Sequence, residues 1–310
     1  MPSGGDDLFP GFEALWMEAA WGKAFARVGG PADAPPLLLL HGFPQSHALW
    51  HRVAPDLARD HRVICLDLPG YGWSSAPRSD SGHEPYAKRR VGAEIVALME
   101  RIGYVRFALA GHDRGARVAY RLALDHPGRV SKLALLDVVP TAVQWARIEA
   151  APGMNPHWPF LAEPAPNPET AIGRDPDGYF RRLIAGWTAA KDLSAFDPCA
   201  LDLYAQAWGV PERIHAMCED YRAGAGRDRA ADEADIAAGR TLAMPVLVLA
   251  STRYLDHEKP ETALAAWRRT LAPDAVGAAI ESGHFLAEEN PSATLAALRP
   301  FLAGEAPPKA

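Results

Sequence analysis

The chain has 310 residues, of which 48% are hydrophobic and 23% charged, an ordinary globular composition able to bury one sizeable core carrying an insertion. A formal charge of -6 gives no electrostatic reason to bind nucleic acid or an anionic membrane, so an anionic small substrate would need local cations. The three cysteines, Cys65, Cys199 and Cys218, have no CxxC spacing, which argues against a disulfide framework or structural zinc and fits reduced thiols in a cytoplasm.

The opening MPSGGDDLFPGF has two early acids and no apolar h-region, which argues against a secretory signal. The longest aliphatic run, Leu37 to Leu40, is too short to span a bilayer. A soluble intracellular protein is expected. LWMEAAWGKAFARVGG predicts two short strands around Trp21-Gly22, and PPLLLLHGFP a buried strand entering a loop. HRVICLDLPGYGWSS is a further apolar run that ends in a glycine-rich turn.

A helix is expected around Arg90 to Ile102, then the strand VRFALA, a helix from about Ala116 to Asp125, and the strand SKLALLD ending at Asp137. Alternation of this kind implies a parallel sheet with helices on both faces and catalytic groups at the carboxyl ends of its strands. From about Val138 to Arg240 prolines and aromatics replace the aliphatic pattern. This predicts a largely helical cap over residues 138–240, inserted into a core domain of residues 1–137 and 241–310. The sheet resumes at MPVLVLA, followed by a helix including Ala263 to Thr270, the strand AVGAAIE, the turn SGHF, a last helix around Ser292 to Phe301 and a frayed APPKA tail.

The stretch GHDRG, Gly111 to Gly115, follows a strand and opens a helix, the context of a nucleophile elbow in which flanking glycines permit the sharp turn. It carries Asp113 where related turns carry serine. A hydroxyl there attacks acyl carbon, whereas a carboxylate suits displacement of a leaving group from saturated carbon. The competing reading is a helix N-cap. In HGFP, the Phe43 amide can join the Arg114 amide as an oxyanion hole, while His41 reads as structural and Asp67, in DLPGYG, as a turn residue.

The loop ESGHF places His284 after the last strand, completing the order nucleophile, acid, histidine. Two acids can orient it. Asp137 stands at a strand's carboxyl end and is favoured, whereas Asp256 lies within TRYLDHE, where a solvated surface role is expected. Arg114 adjoins the nucleophile and Arg117 follows one turn later on the same face. Together they make a clamp for a carboxylate, implying a short acid substrate.

These stretches closely resemble the fluoroacetate (haloacetate) dehalogenases of the α/β-hydrolase superfamily, through HGFPQSHALWHRVAP, DLPGYGWS, LAGHDRGARVAYRLALDHPGR, LALLDVVPT, HWPFLAEPAP, DLSAFDP, RIHAMCEDYRAGA and IESGHFLAEE. The resemblance implies an α/β-hydrolase fold with an inserted helical cap and Asp113 as nucleophile. It implies Asp137 with His284 as the water-activating pair and Arg114 with Arg117 as holders of the substrate carboxylate. It also implies His157, Trp158 and Tyr221 as donors to the departing halide, Trp187 at the pocket entrance, no cofactor and a homodimer. Two stretches depart from the family: LASTRYLDHE lacks a Trp-Gly pair and carries Arg253 and Tyr254, and AGAGRDRAAD lacks an aromatic.

The nearest rival is an epoxide hydrolase, with the same aspartyl ester and Tyr179, Tyr204 and Tyr221 available as acids. The arginine pair argues against it, since a neutral epoxide gains nothing from a carboxylate clamp. A non-catalytic binding protein of the same fold predicts loss of a member of the nucleophile, acid and histidine set, yet all are present. His47 and His51 have helical spacing, but there is no HExxH and HALWH reads as an exposed helix start, so no metal site is expected.

Overall fold

The computed structural model describes residues 8–257 and 261–304. The APPKA tail, expected to fray, lies outside the described residues. Eight strands form one sheet: β1 (Glu13–Ala19), β2 (Gly22–Gly29), β3 (Pro36–Leu40), β4 (Arg62–Leu66), β5 (Phe107–His112), β6 (Val130–Leu136), β7 (Val246–Ser251) and β8 (Val276–Ile280). Their spatial order is β1-β2-β4-β3-β5-β6-β7-β8. Only β2 runs against its neighbours; from β4 to β8 every pairing is parallel.

The aliphatic runs form central strands because both faces of each are covered. Successive side chains point to opposite faces, and the core divides accordingly: Leu38, Leu40, Leu133, Leu135 and Val248 pack on one side, Leu37, Leu39, Ala134, Leu136 and Leu247 on the other. The expected helices fall at Lys88–Arg101, Asp113–Asp125, Ala263–Arg269 and Pro291–Ala303. The second starts three residues earlier than expected, because the turn into it is so sharp that Asp113 is already its first residue.

Between β6 and β7 the described residues form helices and no strand, including Thr141–Ala150, His157–Leu161, Pro176–Trp187, Pro198–Trp208 and Pro211–Ala223. Proline opens the last three, at or next to the first helical position, where its missing N–H costs no hydrogen bond. AGAGRD, the stretch without an aromatic, contains the π-helical turn Gly224–Asp228.

HALWH corrects one expectation. His47–Trp50 is a 3-10 helix and it is buried, not exposed. The His47 amide donates to Asp67 Oδ1 at 2.6 Å and its ring Nδ1 lies 3.0 Å from the same carboxylate, while His51 Nδ1 donates to the Ala48 carbonyl. HALWH read alone as an exposed helix start, but Asp67 supplies a buried partner for His47. Asp67 also accepts from the Trp73 amide at 2.9 Å, organising the DLPGYGWS turn.

Candidate active site

The elbow is sterically committed to glycine at three points. A Cβ on Gly111 would stand 2.6 Å from the Ala116 nitrogen, one on Gly115 2.3 Å from the His41 carbonyl oxygen, and one on Gly42 2.5 Å from the Asp113 Cβ. Strand, helix and HGFP loop therefore meet in backbone contact. At their junction Asp113 takes φ +46°, a left-handed conformation that costs a non-glycine residue about 1–3 kcal/mol.

Asp113 does not cap its own helix. The N-cap position is His112, without a side-chain bond, and the Asp113 carboxylate instead accepts from the Phe43 amide, Oδ1 at 2.9 Å. The Arg114 amide lies in the first helical turn, among the N–H groups that have no partner within the helix. Burial acts to raise the Asp113 pKa, but His284 and the guanidiniums of Arg114 and Arg117 outweigh it and bring the carboxyl down to about 2. The group is an ionised carboxylate in a nearly dry site.

His284 Nδ1 donates to Asp137 Oδ2 at 2.6 Å, and its Nε2 stands 3.8 Å from Asp113 Oδ2. Asp137, at φ +57°, is turned inward by the bend after β6, and its other oxygen accepts from the Ser251 amide at 2.7 Å. Burial opposes protonation of His284, yet the hydrogen bond and charge of Asp137, with the charge of Asp113, raise its pKa above 6.5. Asp256 is elsewhere, half-buried and accepting from the Ala263 amide at 2.7 Å. Of the two acids, Asp137 reaches the histidine.

His41 donates from Nδ1 to the Gly42 carbonyl and accepts at Nε2 from the Leu68 amide, tying the HGFP loop to the turn after β4. His112 Nε2 donates to the His284 carbonyl at 2.8 Å. Burial lowers the His112 pKa to about 3, so its ring stays neutral and holds the histidine loop. His284 N in turn donates to the Trp187 carbonyl at 2.9 Å.

The two arginines are buried and take different places. Arg114, fully inaccessible, donates from Nε to the Asp220 carboxylate at 2.5 Å and from Nη2 to the Asp220 carbonyl at 2.6 Å. Its Nη1 has no partner. Lys88 and Tyr71 also bond the Asp220 carboxylate. Arg117 Nη1 donates to the Val139 carbonyl and Thr141 Oγ1, both at 3.1 Å, while its Nε is unpaired. Their guanidinium carbons lie over aromatic faces, Arg114 4.3 Å from the Tyr221 ring centroid and Arg117 4.5 Å from that of Trp158.

A cavity of about 30 Å³ opens onto Asp113, Arg117, His157, Trp158, Trp187 and His284, room for two or three water-sized groups by a rule of about 10–15 Å³ each. Tyr221 packs behind it, its ring 5.9 Å from His157 and 5.6 Å from Trp158. Burial lowers the His157 pKa to about 3, leaving a neutral imidazole. The Trp187 ring lies tilted 4.5 Å from His157 and edge-on 5.6 Å from His284.

Sequence reasoning missed Asp220 and Ser251, and also Gln144 and Asn155, which line the same cavity. Asp220 stands in the quoted EDYRAGA stretch, yet nothing local reveals that an acid 106 residues away covers Arg114. Tyr254, noticed only as bulky, enters the cavity with its ring 4.7 Å from His284, whereas Arg253 is exposed and pairs with Glu281. Among the epoxide-type acids, Tyr204 is fully buried and donates to Glu288, away from the cavity. Among the described residues no group of three or more histidine, cysteine or acidic side chains is arranged to hold a metal, and no helix is long and apolar enough to cross a membrane.

Residues 35–291 match the model of the alpha/beta hydrolase fold family. A fluoroacetate dehalogenase from Burkholderia sp is 40% identical over 296 residues, 95% of either chain. The chain belongs to the haloacetate dehalogenase family of α/β hydrolases. A protein from Nostoc sp PCC 7120, provisionally named an alpha/beta hydrolase, superposes with a TM-score of 0.87 at 42% identity, covering 94% of this chain and 98% of its own. More distant is a soluble epoxide hydrolase from Corynebacterium sp. (strain C12), 29% identical over 83% of this chain and 86% of its own. Membership of the family makes the protein a hydrolase of the dehalogenase type.

Proposed function

We propose that the protein hydrolyses the carbon–halogen bond of fluoroacetate or chloroacetate, giving glycolate and halide through an ester on Asp113. The observation that carries this reading is the asymmetry of the Asp113 carboxylate. Oδ1 is held by the Phe43 amide while Oδ2 faces His284. Oδ2 is then the free nucleophile, and Oδ1 is left where the ester carbonyl must lie.

In the first step Oδ2 attacks the α-carbon as the carbon–halogen bond breaks, and the halide leaves with the electron pair. Fluoride is small, strongly hydrated and a poor leaving group, so it must be met by directed donors. His157 and Trp158, which line the cavity, supply imidazole and indole hydrogens, and Tyr221, whose ring packs against both, is the third donor. Arg117, which lines the cavity, holds the substrate carboxylate, whereas Arg114, expected to share that role, is bonded to Asp220 outside the cavity wall and contributes its charge.

In the second step His284 Nε2 takes a proton from water, and the hydroxide attacks the ester carbonyl carbon. Negative charge gathers on Oδ1, already within hydrogen-bond distance of the Phe43 amide. Collapse expels the glycolate oxygen, which takes the proton from His284; Asp113 keeps one oxygen from water and releases that oxygen's remaining proton to solvent, restoring the carboxylate.

A single turnover in H2(18)O with enzyme in excess tests the ester. The label should enter Asp113 and not the first glycolate; labelled glycolate from that turnover would mean direct attack by water. Ion chromatography of halide from fluoro-, chloro- and bromoacetate, with styrene oxide turnover alongside and Asp113→Ala as control, tests the substrate class. Epoxide opening without halide release would overturn the haloacid reading.

A further inference from the structure

Gln144 is 96% inaccessible, at 4% exposure, and its side-chain Nε2 has no hydrogen-bond partner. A buried amide donor without a protein partner in a native site calls for a cause. Gln144 lies in the helix Thr141–Ala150 one turn after Thr141, whose Oγ1 accepts from Arg117 Nη1. Residues three apart share a helix face, so the amide is brought to the same wall as the Arg117 guanidinium. Both side chains line the cavity that holds Asp113, and Arg117 Nε is likewise unpaired.

Two buried donors without partners, one cationic and one neutral, thus border a single small cavity beside the nucleophile. A carboxylate has about four acceptor sites and can take both. We propose that Gln144 is a substrate-binding residue that donates its amide N–H to the carboxylate of the haloacid, beside Arg117. This extends the reading under Proposed function to a residue of this chain outside the arginine pair. The amide makes no bond to protein that a substitution would break, and substrate gives it a partner.

That makes stability and affinity separable. Gln144→Leu removes the unsatisfied amide while keeping most of the volume, so the thermal midpoint should hold or rise. Loss of a hydrogen bond to a charged group, about 1.5–3 kcal/mol, should weaken binding by about tenfold or more. Gln144→Glu, which sets a carboxylate against the substrate's own, should weaken it further.

The experiment is calorimetric titration of wild type and both variants with glycolate, alongside KM and kcat for halide release and thermal melts. The expected result is weaker glycolate binding and a higher KM in Gln144→Leu, the loss falling on KM rather than kcat, with no loss of thermal midpoint. Equal glycolate affinity in wild type and Gln144→Leu overturns the inference, as does a lowered midpoint with KM unchanged, which is the signature of packing. Absence of glycolate binding to the wild type overturns it too. Wild type that binds glycolate but releases no halide overturns the dehalogenation reading instead, and the titration still decides the role of Gln144.

Discussion

Asp113, His284 and Asp137 form a chain of charge in which each member sets the state of the next. The charges of Asp137 and Asp113 raise the His284 pKa above its ordinary value, and the base works only when neutral. In the ester the Asp113 charge is gone, so the rate of ester hydrolysis should rise with pH through a His284 pKa that Asp137 still raises but that lies below the free-enzyme value. Asp137→Asn removes one of the raising charges, so the acid limb of the pH-rate profile should move to lower pH while the plateau falls by up to about 10⁴, the size of loss known for the equivalent change in a serine protease triad. An acid limb that stays in place would show that another group controls it. His284→Gln removes the base but leaves the nucleophile, so one equivalent of halide should be released in a burst and the Asp113 ester should accumulate, seen by intact-mass spectrometry as an added carboxymethyl group.

Elements meet here through backbone and through buried acids. Gly115 lets the helix Asp113–Asp125 lie against the end of β3, and a methyl there would stand 2.3 Å from the His41 carbonyl oxygen. Gly115→Ala should lower unfolding free energy by the upper end of about 1–3 kcal/mol and reduce kcat, since the displaced helix begins at Asp113, the proposed nucleophile; urea denaturation and halide release check the pair of effects. Glu288 ties three other pieces together, accepting from Gln45 in the HGFPQ loop and from Tyr204 in the helix Pro198–Trp208 while standing four residues after His284. Burial raises its pKa from 4.5 to about 8 against those bonds. Because the folded-state value is the higher one, its stabilisation is complete below about pH 4.5 and is lost as pH climbs through 8. Glu288→Gln should flatten the decline of thermal midpoint over that window, and a decline as steep as wild type would assign it to other groups.

For the molecule as a whole, the sheet separates stability from chemistry. Leu247, wholly buried in β7 on one face of the sheet, should cost about 2–5 kcal/mol as Leu247→Ala with kcat of the folded enzyme unchanged. Loss of kcat would mean that strain crosses the sheet to the site. The sequence made this scaffold legible because parallel central strands must be apolar throughout, and it made the elbow legible because GHDRG has few other uses. It left three things out of sight. The burial of Arg114 and Arg117 depends on Asp220, Val139 and Thr141, partners set by tertiary packing, and the buried state of HALWH depends on Asp67. Gln144 was silent for the same reason: an isolated glutamine on a helix looks solvated until the cavity beside it is known.

The His284 amide hangs from the Trp187 carbonyl, and a Cβ on Gly283 would stand 2.4 Å from the Ala189 nitrogen. The end of the helix Pro176–Trp187 and the loop that carries the base are therefore one mechanical part, although they come from opposite sides of β7 in the chain. A chimera that borrows residues 138–240 from a relative while keeping its own ESGHF loop would join two halves of this part from different chains and should shift His284. Transplanting both segments together is the smallest exchange that preserves the joint.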